Sequence, residues 1–110
     1  MLLVLLLDRA IEYSMSSSHV LDRLVSTIAS RRNDNLETSY TARLLSSGPL
    51  RSAQKVGEEA VEVAIEATLG NNDTLISESA DLLYHLLVLW VSMGVSSDEV
   101  WAKLEEREKI

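Results

Sequence analysis

Residues 49–73, PLRSAQKVGEEAVEVAIEATLGNND, read as one long helix and the turn that ends it. Pro49 suits a first helical turn, where its missing N–H costs nothing. Gly70 and the asparagines after it mark the break. Between these limits, alanine and straight-chain residues lose little rotamer freedom in a helix. Yet KVGEEAVEV (Lys55–Val63) sets Glu58, Glu59 and Glu62 among apolar residues. A second acidic pair, Glu78 and Asp81 in ESAD, follows with the same i,i+3 spacing in another apolar helix. The role of carboxylates in such segments decides both fold and chemistry.

Outward from this stretch, the chain punctuates itself into further helices. Ser18 is a candidate cap for HVLDRLVSTIASRR, where Val20, Leu21, Leu24, Val25 and Ile28 make an apolar stripe at helical spacing. NDN (Asn33–Asn35) ends it, and a short helix at SYTARLL closes at Gly48. Downstream, Asp73 is predicted to cap a helix from Thr74 to Met93, with Gly94 at its C-terminus. Ser96 and Glu99 have capping-box spacing for a last helix carrying Val100, Trp101 and Leu104. No strand alternation or internal repeat is visible. The expectation is an all-α antiparallel bundle of about four to five helices, completed by dimerisation. Apolar residues on more than one helix face are the reason to expect a homodimer.

The domain is expected over residues 18–110, with residues 1–17 an N-terminal extension, read as an extra helix. MLLVLLL meets Asp8 and Arg9 at once, too short to span a bilayer and without a basic leader region. LLYHLLVLWV (Leu82–Val91) is likewise short for a span and reads as a buried helix. A formal net charge of −7 argues against nucleic acid, which needs a basic footprint. The absence of cysteine excludes disulfides, thiolate zinc sites and cysteine nucleophiles, and fits a cytoplasmic location.

At 100° per residue, Glu59 and Glu62 lie about 60° apart, with Lys55, Arg51 and Glu66 near the same stripe. Apolar residues border this stripe on both sides. Glu78 and Asp81 share a face of the next helix, and a short turn lets the two acidic faces meet. Carboxylates gathered beside a core cost several kcal/mol each unless neutralised. Lys55 and Arg51 are the only bases near, so a divalent cation is the simplest source of positive charge. No acid is followed three residues later by histidine, which argues against a di-iron bundle site. All-oxygen ligands suit Mg²⁺, with Mn²⁺ the second option. Such a metal completes its shell with phosphate oxygens, which points to a nucleotide or another polyphosphate as substrate.

The two acidic pairs, together with SYTARLLSSGPLRSAQKVGEEAVEVAIEA and ESADLLYHLLVLW, resemble the phosphoribosyl-ATP pyrophosphatase family within the all-α, MazG-like nucleoside triphosphate pyrophosphatases. The likeness runs from about Val20 to Arg107; the first residues have no counterpart. It implies Mg²⁺-dependent hydrolysis of 1-(5-phosphoribosyl)-ATP to phosphoribosyl-AMP and pyrophosphate, the second step of histidine biosynthesis. By this resemblance Glu59, Glu62, Glu78 and Asp81 are metal ligands, and Glu58 either ligates or orients the attacking water. Glu58 and Glu59 are thus the catalytic candidates. Lys55 and Arg51 match phosphate-holding positions, and Tyr40 and Thr41 match a stretch that contacts substrate. Dimers with sites near the subunit interface are also implied.

Two other functions compete: a house-cleaning pyrophosphatase of the same superfamily, and a non-catalytic helical dimer that binds a protein partner. His85 reads as a hydrogen-bonded core residue, with contact to Glu78 or Asp81 the alternative. Trp90 and Trp101 read as core or interface.

Overall fold

The computed structural model describes residues 20–109. These form five helices and no strand, as the sequence leads one to expect. Residues 20–30 are helical (α1), followed by α2 (Tyr40–Ser47), α3 (Pro49–Leu69), α4 (Asn72–Met93) and α5 (Ser97–Glu108). The expected extension at residues 1–17 and the Ser18 cap lie outside the described residues.

Each boundary has a local cause. Ser39 Oγ accepts the Ala42 N–H (3.1 Å) at the start of α2. Pro49 occupies the first turn of α3. Gly70 ends α3 at φ +74°, a left-handed conformation in which a Cβ would be strained. Its N–H donates to Ala67 O (3.2 Å) and that of Asn71 to Glu66 O (3.1 Å), which satisfies carbonyls the helix leaves open. The expectation for Asp73 is corrected here. Asn71 is the cap residue of α4, and Asp73 lies in the first turn, where its charge suits the positive end of the helix. At α5 the capping box is complete: Ser96 Oγ accepts from Asp98 N–H and Glu99 Oε2 from Ser96 N–H.

The two-residue turn makes α3 and α4 an antiparallel hairpin with the largest contact in the fold, and α2 packs on both. The apolar core lies toward one end of it. Ile28 of α1, Leu44 and Leu45 of α2, and Leu87 and Val88 of α4 are buried together, with Leu21, Leu24, Val25, Tyr84, Trp90 and Val91 packed around them. Arg32 donates to Val91 O (3.1 Å), and Trp101 packs edge-on against Trp90 while donating to Asp22 (3.2 Å). Both tryptophans therefore tie helices together, as expected.

By length and composition alone α4, with 22 residues and a window of mean hydropathy 1.3, could cross a membrane. The apolar run Leu82–Val91 is shorter than the helix that contains it. Its Leu87 and Val88 supply the core, and Glu78, Asp81 and His85 keep polar groups along it. Since Leu87 is 1% exposed in a core of few residues, Leu87→Ala should cost about 2–5 kcal/mol in urea unfolding; a loss below 1 kcal/mol would contradict this packing.

Candidate active site

The side of α3 that meets α4 is half polar. Ser52 and Glu59 are its buried residues, and Lys55, Val56, Val63 and Glu66 are half-buried beside them. Seven residues advance a helix by nearly two turns, so Ser52, Glu59 and Glu66 fall almost in line. Opposite Glu59, α4 contributes Glu78 and Asp81. Carboxylate oxygens of Glu59, Glu78 and Asp81 all lie within 4.8 Å of one another, close enough to share one metal ion.

Glu59 is 9% exposed, whereas Glu78 is half-buried and Asp81 and Glu62 are exposed. The cluster thus opens from an enclosed end at Glu59 toward solvent. Glu59 Oε2 and Glu78 Oε2 are enclosed, and no N–H or hydroxyl among the described residues donates to them. Hydrogen bonding to Glu62, then to Glu59, and then burial push the Glu78 pKa up to about 7, with the charges of both neighbours adding. Glu62, outside the tightest group of three, is therefore still a close neighbour of Glu78. Two enclosed oxygens that no donor reaches, with a third carboxylate within 4.8 Å, are a donor set that suits a hard cation.

The basic residues divide. Lys55 Nζ donates to Glu58 Oε2 (3.2 Å), and this bond raises its pKa above the ordinary lysine value. Glu58 is thus the partner of Lys55, one turn on, and is more than half exposed. Arg51 is exposed and forms no hydrogen bond or ion pair among the described residues. Tyr40 is 45% exposed, close enough for its phenol to act on Lys55, with Arg43 over its ring at 5.7 Å. Thr41 does not face outward; it is hydrogen-bonded to the hydroxyl of Tyr84.

Three aromatic rings close this side. Tyr40 and Tyr84 stack at 6.4 Å, and His85 meets both edge-on, at 6.1 and 5.0 Å. His85 is buried, as its place in a leucine-rich helix suggests, but its Nδ1 has no hydrogen-bond partner among the described residues. Burial, then the charge of Lys55, lower its pKa, against the opposing pull of Glu59, Asp81 and Glu58. Reasoning from sequence missed Ser52 and Tyr84. Ser52 had a readable signal, since it lies seven residues before Glu59 on the same face. The Thr41–Tyr84 bond joins residues 43 apart and had none. The cleft between α1 and α5, lined by Leu21, Asp22, Trp101 and Glu105, contains none of these groups.

The described residues are thus all-α, with acidic residues of α3 and α4 facing each other across a helical hairpin. A model of the phosphoribosyl-ATP pyrophosphohydrolase family matches residues 21–108. The chain belongs to this family. It is 54% identical over 92 residues to the phosphoribosyl-ATP pyrophosphatase of Azospirillum brasilense, covering 84% of this chain and 83% of the relative. It is 54% identical over 89 residues to that of Gluconobacter oxydans, covering 81% and 67%. For Erythrobacter litoralis the figures are 50% over 90 residues, covering 82% and 86%.

The raised pKa of Glu78 has a consequence for the metal-free protein. Its folded-state pKa lies above the ordinary 4.5, so its contribution is complete below about 4.5 and lost as pH rises through about 7. In chelator, the melting temperature of the wild type should fall across this window, and Glu78→Gln should flatten the fall. Parallel melting curves for the two proteins across the window would refute the crowding.

Proposed function

We propose that this chain hydrolyses 1-(5-phosphoribosyl)-ATP to 1-(5-phosphoribosyl)-AMP and pyrophosphate, the second step of histidine biosynthesis, in the cytoplasm. The observation that carries the reading is the carboxylate cluster of Glu59, Glu78 and Asp81 in a chain of this family. Glu59, Glu62, Glu78 and Asp81 would hold Mg²⁺, or Mn²⁺, through oxygen alone. The cation supplies charge neutralisation for the triphosphate and for the leaving pyrophosphate.

The chain's own groups do the rest. Lys55 reaches the mouth of the cluster, where an ammonium suits phosphate oxygens, and Arg51 follows on the same stripe one turn earlier. An i,i+3 ion pair of this exposure contributes about 0.2–0.5 kcal/mol, so Lys55 exchanges Glu58 for phosphate at little cost. That exchange frees the Glu58 carboxylate to orient water and take its proton. The water oxygen bonds to the α-phosphorus, the α–β bridging bond breaks, and its electron pair leaves with pyrophosphate. Glu59, at the enclosed end, keeps the metal ligands in register. Tyr40 borders the substrate, and Thr41 holds Tyr84 behind it.

With Mg²⁺ and phosphoribosyl-ATP the protein should release pyrophosphate, not orthophosphate. Asp81→Asn should lower kcat at least about 100-fold with the helical fold retained. Faster turnover of free nucleoside triphosphates than of phosphoribosyl-ATP would overturn this substrate and favour a house-cleaning enzyme.

We also propose a homodimer. The side of α3 turned from α4 carries Leu50, Ala53, Gly57, Ala60, Val61 and Ala64, all exposed. Leu50, Val61 and Leu69 are 74%, 59% and 65% exposed, and Ile76 of α4 is 69% exposed. An apolar face of this kind on both long helices supports burial against a second copy. Sedimentation at micromolar concentration should give twice the monomer mass; a stable monomer would sink the proposal.

A further inference from the structure

Four enclosed side-chain atoms lack a hydrogen-bond partner among the described residues: Ser52 Oγ, Glu59 Oε2, Glu78 Oε2 and His85 Nδ1. Glu59 and Glu78 belong to the carboxylate cluster. Ser52 precedes Glu59 by seven residues, and His85 follows Glu78 by seven. Seven residues fall about 20° short of two turns, so each stays on the face of its acidic counterpart. Because α3 and α4 run antiparallel, both steps go the same way along the seam, by about 10 Å. The four atoms are therefore two layers of one seam. One layer is acidic and the other neutral.

The neutral layer is well enclosed. Ser52 is 0% exposed and His85 5%. Burial, then the charge of Lys55, lower the imidazole pKa against the pull of Glu59, Asp81 and Glu58, which favours its neutral form. A serine hydroxyl and a neutral imidazole nitrogen donate and accept hydrogen bonds without charge, which suits an alcohol better than a phosphate. Tyr40, edge-on to His85 and half-exposed at the first turn of α2, runs from this layer to the surface beside Lys55.

We infer that Ser52 and His85 form the floor of a sugar subsite, where ribose hydroxyls of a nucleotide bond to Ser52 Oγ and His85 Nδ1 while its phosphates lie over the acidic layer. This rests on the nucleotide reading of the site and names what lies beyond the phosphates. The order of the layers follows the order of groups in a nucleotide, from phosphate chain to sugar. Two polar atoms that lack partners among the described residues gain them on binding.

The test is calorimetric titration, in Mg²⁺, of AMP, 2′,3′-dideoxy-AMP and inorganic pyrophosphate. The wild type should bind AMP about tenfold more tightly than its dideoxy analogue, the worth of a buried hydrogen bond. Ser52→Ala, which keeps the His85 contact, should lose a large part of this preference and bind pyrophosphate as the wild type does. It should melt no lower than the wild type, because the lost hydroxyl had no partner. His85→Gln, which keeps a polar group near Nε2 but not Nδ1, should likewise lose a large part of the preference and serves if Ser52→Ala folds poorly. The inference is overturned if either folded variant keeps the full preference for AMP, or if the wild type shows none. A wild type that prefers AMP yet releases no pyrophosphate from phosphoribosyl-ATP loses its substrate assignment and keeps the sugar subsite.

Discussion

Repulsion among carboxylates across the α3–α4 seam is the constraint on which the rest of this structure depends. Two long helices joined by a two-residue turn must pack along their length, and hydrophobic burial would normally drive that packing. Here Ser52, Glu59 and Glu66 take places in the seam that apolar residues could have filled. Glu59, almost wholly enclosed, meets Glu78 and Asp81 of the facing helix. Like charges this close in a partly dry setting oppose the hairpin itself. Glu78 registers this crowding: sharing a proton with Glu62 and then Glu59, then burial, and last the charges of both push its pKa up to about 7. A folded chain with this seam stores a demand for positive charge in its most rigid element.

The remainder of the fold meets the cost of that seam by standing apart from it. Ile28, Leu44, Leu45, Leu87 and Val88 form the core at the end of the hairpin away from the turn, and α2 braces both long helices there. The brace is specific: Thr41 bonds to Tyr84, and Arg43 donates to Leu36 O (2.7 Å), so α2 is fixed at both flanks. Stability is thus concentrated where the hairpin is apolar, and chemistry where it is not. The division holds the carboxylates close together and leaves their outer members, Glu62 and Asp81, open to solvent.

Much of this was legible in the chain because its signals are local. Glycine or proline marks the ends of α2, α3 and α4, and Ser96 with Glu99 marks the start of α5. The acidic pairs were legible for the same reason, since i,i+3 spacing fixes a shared face whatever the tertiary context. Asn71 displaced Asp73 as the cap of α4 because the α3–α4 turn is tighter than its polar sequence required. The turn itself uses Asn71, whose side chain donates to Glu66 Oε2 (2.9 Å). Periodicity gives a helix a polar face, but it does not say how far each acid is buried. Glu59 and Glu62 share a stripe, yet about 60° of rotation separates an enclosed carboxylate from an exposed one.

What could not be read was the pairing across helices. Ser52 reads from sequence as one more small residue of α3, and only the packed hairpin encloses it completely. His85 looks like a satisfied core histidine until Tyr40 of α2 is packed on it and no acceptor or donor among the described residues reaches Nδ1. Both cases follow from the same geometry. In an antiparallel hairpin, residues equally far from the turn meet, so one acidic layer implies a second layer of contacts two turns away. At Ser52 and His85 that layer is polar and unpaired where leucine would have packed. A seam built only for stability would have been apolar there; one that must also receive a polar ligand has reason not to be.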